Sequence, residues 1–322
     1  MINTEELKSF LKINYDLDLV GIASADALSD EPEGHCPSDL LPGAKSIIVF
    51  GRSFADGAVS GMFRAKEDGN FSAQSAYQAY CDELAPNILL FNDAFKITAY
   101  LEDTFHAASV PCPFNVMQSM RWKHAPGKFF ADPYGQGMPL DIGKAALAAG
   151  LGEFGWSNRF LTPEYGPRQM LTAVITTLEL TPDSLYDGPA LCNPEECGIC
   201  AKVCPTGAVS EPCIGCTKEI RVKGRKQTVS DIDANACTVA SLALRSEFKG
   251  RAPVPNLVSS NHPSDEELEA AFEKKPIAGG GMEHYPRSFC EKCLIYCPVG
   301  SWKERFSDTG LTSFKYTESG DQ

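Results

Sequence analysis

Cys192-Asn-Pro-Glu-Glu-Cys197-Gly-Ile-Cys200-Ala-Lys-Val-Cys204-Pro205 and Cys290-Glu-Lys-Cys293-Leu-Ile-Tyr-Cys297-Pro298 decide how this chain is read. Both stretches contain C-x₂-C-x₃-C-P. Spacing of this kind, repeated and closed by Cys-Pro, is what holds paired cubane iron–sulfur clusters, and the Cys before Pro ligates the cluster of the other block. Two [4Fe–4S] clusters need eight thiolates. The first block offers Cys192, Cys197, Cys200 and Cys204, and the second offers Cys290, Cys293 and Cys297. The eighth must lie elsewhere, and Cys213, Cys216 and Cys237, between the blocks, are the candidates. Crossed pairing puts Cys192, Cys197, Cys200 and Cys297 on one cube. Cys204, Cys290, Cys293 and one intervening cysteine take the other. The opening C-x₄-C is longer than the usual C-x₂-C.

Structural zinc is the competing reading, because C-x₂-C pairs suit a tetrahedral ion. Zinc has no use for a repeated C-x₃-C-P. Disulfides are not expected. The chain has thirteen cysteines but no charged segment leading into an apolar one, as a secretory signal requires, and no twin-arginine signal. Cytosolic metal ligands and a cytoplasmic location are the expectation. No apolar run is long enough to span a membrane.

The 322 residues, 43% hydrophobic, can bury one large core or two modest ones. A net charge of −13 argues against a nucleic-acid surface. The short basic run Lys218 to Lys226 reads as a solvated hairpin. The N-terminal two-thirds reads as mixed α and β. Asn3 and Glu6 resemble a capping box before the helical spacing of Leu7, Phe10 and Leu11. Strands are expected at Leu19–Ile22, Ser46–Phe50 and Met170–Leu180. Residues 58–75, rich in Gly, Ser and Ala, read as a loop. Ala76 to Val110 reads as mostly helical with a break at Pro86, and Gly143 to Ala149 as a small-residue helix ending at Gly150. The domain boundary is expected near residue 185, giving an α/β (α+β) domain over 1–185, a cysteine module over 186–306 and a polar tail over 307–322.

Gly150-Leu-Gly152-Glu-Phe-Gly155 satisfies G-x-G-x-x-G, but a helix precedes it, so the dinucleotide context is reversed. It reads either as a helix C-cap and tight turn or as a place where backbone approaches a large flat ligand.

Leu19-Val-Gly-Ile-Ala23, Leu41 to Val49, Ala149 to Gly155, Thr162-Pro-Glu-Tyr-Gly-Pro-Arg168 and the two cysteine blocks, in this order, resemble epoxyqueuosine reductases and the related reductive dehalogenases over about residues 15–305. The Thr-Pro-Glu-Tyr-Gly-Pro wording is nearer the dehalogenases. The resemblance implies a nitroreductase-like domain holding cobalamin, with FMN as the alternative, followed by a ferredoxin-like module with two [4Fe–4S] clusters. It implies Cys237 as the eighth ligand, and Gly150, Gly152, Gly155, Gln136 and Asn158 as cofactor contacts. Cys213 and Cys216 fall outside the pattern and are expected as inert or regulatory thiols. Epoxyqueuosine reductases carry an acidic proton donor where this chain has Gln136, and a carboxylic acid where it has Ile142. Tyr134, Tyr165 and Arg168 are the candidate catalytic residues, with Arg121, Trp122 and His124 clustered upstream; a Tyr beside an Arg can release a proton in a transition state. The expected partners are a small-molecule substrate and a low-potential electron donor such as ferredoxin or flavodoxin, not tRNA. Simpler readings are an electron-transfer protein without corrinoid and a flavin enzyme on the same fold. The oligomeric state is left open, a homodimer included.

Overall fold

A computed structural model describes residues 3–67, 77, 80, 81, 88–112, 140–213, 215–241, 243–248, 256–274 and 290–300. Its centre is an antiparallel sheet in the order β1-β2-β6-β3, formed by Leu19–Ser24 (β1), Ser46–Ser53 (β2), Ser109–Cys112 (β3) and Gln169–Thr176 (β6). Two short hairpins lie outside it. One pairs Glu153–Phe154 (β4) with Phe160–Leu161 (β5), and the other pairs Thr217–Val222 (β7) with Arg225–Ser230 (β8).

β2 shows why the sheet forms. Side chains alternate across a strand, and here both faces are apolar. Ile47 and Val49 join a cluster with the Ile142–Ala148 helix, while Ile48 and Phe50 join one with Leu7 and Leu11 of the Thr4–Tyr15 helix and Ile97 and Leu101 of the Phe91–Phe105 helix. The sheet is therefore covered on both sides. Ile220, Val222 and Val229 of the β7–β8 hairpin share the first cluster, although they lie beyond residue 185.

The expected strands are present, and Asn3 caps the first helix by accepting from Glu5 N and Glu6 N. The basic run is a hairpin, as expected. Its turn, Lys223-Gly224, has positive φ at both residues (50° and 75°), as a two-residue hairpin turn matched to strand twist requires. Two expectations are corrected. Residues 58–67 are not a loop: they belong to a helix, Asp56–Glu67, because Val59 is buried against Phe54 and Tyr77, and burial outweighs the weak propensity of Gly and Ser. The helical stretch does not run to Val110; it stops at Phe105, His106 takes the left-handed cap, and β3 follows. Residues 68–75, Pro86 and the expected tail over 307–322 lie outside the described residues.

Candidate iron–sulfur site

The first cysteine block folds as two single helical turns, Pro194–Cys197 and Ile199–Lys202, joined through Gly198 at φ 58°. Pro194 opens the first turn, where a missing N–H costs nothing. The second block contributes the turn Lys292–Ile295, begun by Glu291, whose carbonyl accepts from Leu294 N and Ile295 N at 2.8 and 3.0 Å. Cys237 lies in the Ala234–Ser241 helix.

These segments meet. Cys204, Cys237, Cys290 and Cys293, from three separate stretches of chain, all line one cavity of about 170 Å³. Asn158, Arg159, Gln169 and Met170 also line it. The other cysteines gather next to it. Burial pushes the Cys200 thiol up to about 12, and nearby Cys293, Cys192, Cys297 and Cys197 push the same way. Burial also pushes Cys297 up to about 11, with Cys192 and Cys197 adding to it and the Arg168 charge opposing it. Among the described residues, no three or more His, Cys, Asp or Glu side chains converge as ligands of a single ion would.

The β4–β5 hairpin turn reaches both groups of thiols. Trp156 donates its backbone N–H to Cys192 Sγ at 3.3 Å, and Arg159 donates Nε–H to Cys293 Sγ at 3.3 Å. Trp156 is itself anchored by its indole N–H on Ser210 O at 2.7 Å. Arg159 also pairs with Glu291 at 3.4 Å, and Glu291 accepts a short hydrogen bond from the buried Tyr77 hydroxyl. Burial works against the Arg159 charge, but Cys293 and Glu291 outweigh it and hold the guanidinium firmly protonated. Arg159 and Glu291 were not legible as site residues. A lone Arg after a hairpin turn carries no spacing signal, and Glu291 read only as filler between cysteines.

Arg168, expected as a catalytic candidate, is 1% exposed. Its guanidinium donates to Cys297 O at 2.9 Å, to Leu294 O at 3.5 Å and, by a short bond, to Val299 O. It binds the backbone of the second block. Burial pulls its pKa down to about 10, against the charges of Cys297, Asp56 and Tyr77. The Thr162–Arg168 segment fits the same place by shape: a Cβ on Gly166 would stand 2.1 Å from Val299 O. Tyr165 lies half-buried in this docking turn, its N–H on Thr162 Oγ1 at 3.2 Å. Neither Tyr165 nor Arg168 lines the cavity. Tyr134, Gln136, Arg121, Trp122 and His124 lie outside the described residues.

The glycine segment is a helix cap. Gly150, at φ 70°, donates to Leu147 O, and Leu151 donates to Ala146 O; the pair of bonds satisfies the last carbonyls of the helix in a Schellman motif. The bare sides of these glycines meet the chain itself. A Cβ on Gly150 would fall 2.0 Å from Ser184 O, one on Gly152 1.9 Å from Leu161 O, and one on Gly155 2.8 Å from a Leu161 methyl. Of the expected cofactor contacts, Asn158 alone among the described residues borders the cavity, from a left-handed backbone at φ 55°. Ile142 also borders it. The carboxyl next to it, Asp141, is spent on capping Lys144 N at 3.0 Å.

Cys213 and Cys216 are not free thiols. They form a disulfide with a Cα–Cα distance of 5.5 Å, inside the range that a disulfide spans without strain. A C-x₂-C turn alone brings two thiols this close, and the expectation of no disulfide fails here.

Set beside known proteins, the chain matches no family model. It is 39% identical over 66 residues to the tetrachloroethene reductive dehalogenase of Sulfurospirillum multivorans, a match covering 20% of this chain and 13% of that protein. Among solved structures it is similar to an epoxyqueuosine reductase bound to a tRNA stem loop, at 16% identity and TM-score 0.46 over 92% of this chain and 83% of that one. It is also similar to a catabolic reductive dehalogenase bound to 3-bromo-4-hydroxybenzoic acid, at 17% identity and TM-score 0.45 over 88% of this chain and 36% of that one. The chain thus resembles reductive dehalogenases and epoxyqueuosine reductases, and its match to the curated dehalogenase spans a small fraction of that protein's length.

Proposed function

We propose that this chain is an iron–sulfur reductase with two [4Fe–4S] clusters, one on Cys192, Cys197, Cys200 and Cys297 and the other on Cys204, Cys237, Cys290 and Cys293. The observation that carries the reading is the cavity lined by Cys204, Cys237, Cys290 and Cys293: crossed pairing puts three of these thiols together, and Cys237 is the fourth that the resemblance implies. A cavity of about 170 Å³ lined by four thiols suits a multi-atom cluster better than one ion, whose sulfur ligands must all lie about 2.3 Å from a common centre. When bound, the clusters supply one-electron transfer, and a corrinoid, proposed from the likeness to the dehalogenases, supplies the centre at which a small-molecule substrate is reduced.

The chain's own residues do the remaining work. Trp156 N–H and Arg159 Nε–H direct donors at Cys192 and Cys293. Arg168 holds the second block against the sheet domain. Phe54, Phe160, Met170 and Leu171 border the cavity with apolar surface and limit water. The nitroreductase-like and ferredoxin-like labels for the two parts, a ferredoxin or flavodoxin as donor, and a cytoplasmic setting belong to the same proposal. Among the described residues no helix is long and apolar enough to cross a membrane.

The test is elemental analysis of anaerobically purified protein, with extraction and mass analysis of any bound organic cofactor. About eight iron and eight sulfide per chain are expected. Cys237→Ala should lose about half of the iron, whereas Cys213→Ala should keep all of it. Zinc in place of iron, or iron loss in the Cys213 variant with none in the Cys237 variant, overturns the ligand assignment. Full iron with no corrinoid after reconstitution leaves an electron-transfer protein, and a tightly held flavin replaces the corrinoid.

A further inference from the structure

Arg159 touches a cysteine without being able to ligate a metal. Its Nε–H points at Cys293 Sγ (3.3 Å), and its terminal nitrogen lies 3.4 Å from Glu291. The Arg159 and Glu291 side chains are 27% and 7% exposed, so neither charge is fully screened by water. The two come from separate stretches of chain, 132 residues apart. Arg159 is set by the hairpin turn, in which Gly155 N donates to Arg159 O at 2.8 Å and Asn158 takes a left-handed backbone. Glu291 also has a left-handed backbone, at φ 34°. Non-glycine residues adopt this conformation at a cost, and it persists where the surroundings impose it. Gly155, Asn158 and Glu291 thus fix a cation and an anion beside one ligating sulfur.

We propose that Arg159 is a positioning residue that sets the reduction potential of the cluster on Cys204, Cys237, Cys290 and Cys293, with Glu291 as its counter-charge. The inference rests on the cluster reading given above. Reduction adds one electron, taken from a low-potential donor, and so one negative charge to the cluster. A cationic N–H donor on a ligating sulfur stabilises that added charge and raises the potential; a carboxylate nearby lowers it. The two residues therefore act with opposite signs on one cluster. A latch that merely holds the Lys292–Ile295 turn in place has no such signature.

The experiment is a redox titration of the reconstituted full chain, poised with dithionite and mediators and followed by electron paramagnetic resonance, with iron measured on every sample. Arg159→Gln should make reduction of one cluster at least tenfold less favourable, a fall of about 59 mV for a one-electron couple, with full iron. Glu291→Gln should move the same cluster the other way. Arg159→Lys, which keeps the charge but not the fixed fork, should lie between wild type and Arg159→Gln. The second cluster should not move in any of them. Full iron with unmoved potentials in Arg159→Gln, or equal shifts of both clusters, overturns the proposal. If Arg159→Gln loses iron, Glu291→Gln decides: a positive shift supports the proposal and an unmoved or negative one overturns it. Wild-type protein without iron overturns the cluster reading itself, and this proposal with it.

Discussion

β2 buries every side chain from Ser46 to Phe50, and the Pro194–Cys197 turn buries none. The contrast holds across the two regions. The sheet carries two large apolar clusters, one on each face. Around the first cysteine block the packing is small, Trp156, Ala201 and Val209 with Cys192, Cys200, Cys204 and Ile232 at their edge, and the helical turns that carry both blocks are four residues long. A separate small cluster of Val239, Leu244, Val258, Leu268 and Ala271 lies behind Cys237. Single helical turns do not hold themselves in water, because nucleation costs more than one turn returns. The sheet is stabilised by burial, whereas the cysteine turns of the first block need something outside the polypeptide's own apolar surface.

Metal removal should therefore divide the molecule. Stripping iron under mild oxidation should release amide protection around Cys197 and Lys202 while Val49 and Val174 stay protected, measured by hydrogen exchange. Structural metal contributes on the order of 10 kcal/mol where it nucleates a small domain, so this is the largest effect expected. Loss of protection in both regions at the same time would erase the contrast.

Arg168 is a buried polar link between the sheet and the second cysteine block. Arg168→Met should take this donor from the part-buried carbonyls of Cys297 and Val299, at about 1–3 kcal/mol for each group left unsatisfied. Urea unfolding should show a loss on the order of 3 kcal/mol, concentrated in the second block. An effect below about 0.5 kcal/mol, the scale of a surface change, would mean that the regions dock by other contacts.

The sheet has a thiol of its own, and it behaves differently. Burial against β6 pushes Cys112 from 9.0 up to about 12. The folded chain then keeps a proton that the unfolded chain gives up above pH 9. Stability from this group is complete below pH 9 and is lost as pH rises toward 12. By pH 10 the loss is about 1.4 kcal/mol. It should appear as a difference between wild type and Cys112→Ala in urea midpoints at pH 8 and pH 10, the smallest effect of the set. A constant difference between the two proteins would show that Cys112 is not buried as a neutral thiol.

Much of this was legible because it repeats or alternates. The paired C-x₂-C-x₃-C-P spacing picked out six of the eight proposed ligands, and Cys192 led the first block as a seventh. The apolar run within Ser46–Phe50 marked a strand, and the basic run Lys218 to Lys226 marked a hairpin. The Asp56–Glu67 helix was hidden by its glycines and serines, since what makes it helical is Val59 packing on Tyr77, a contact far from local sequence. Arg159 and Glu291 were hidden for the same reason: they meet across 132 residues. The segment Thr162–Arg168 was legible as a motif but not as a docking surface. Its Tyr and Arg suggested chemistry, and the fold uses the Arg to bind carbonyls.

The hydrogen bonds from Arg168 to Cys297 and Val299 join residues 129 and 131 positions apart, and this imposes an order in time. During synthesis, domains form from the N-terminal side as chain emerges. β6, the last strand of the sheet, is complete at Thr176, so the sheet can close early. The Thr162–Arg168 turn must then wait, facing water, until Gly300 has emerged. A nascent chain halted in between would carry a finished sheet and an open seat for the missing block. In that window the first block stands alone, and neither proposed set of four thiols is complete until Cys290, Cys293 and Cys297 have followed it.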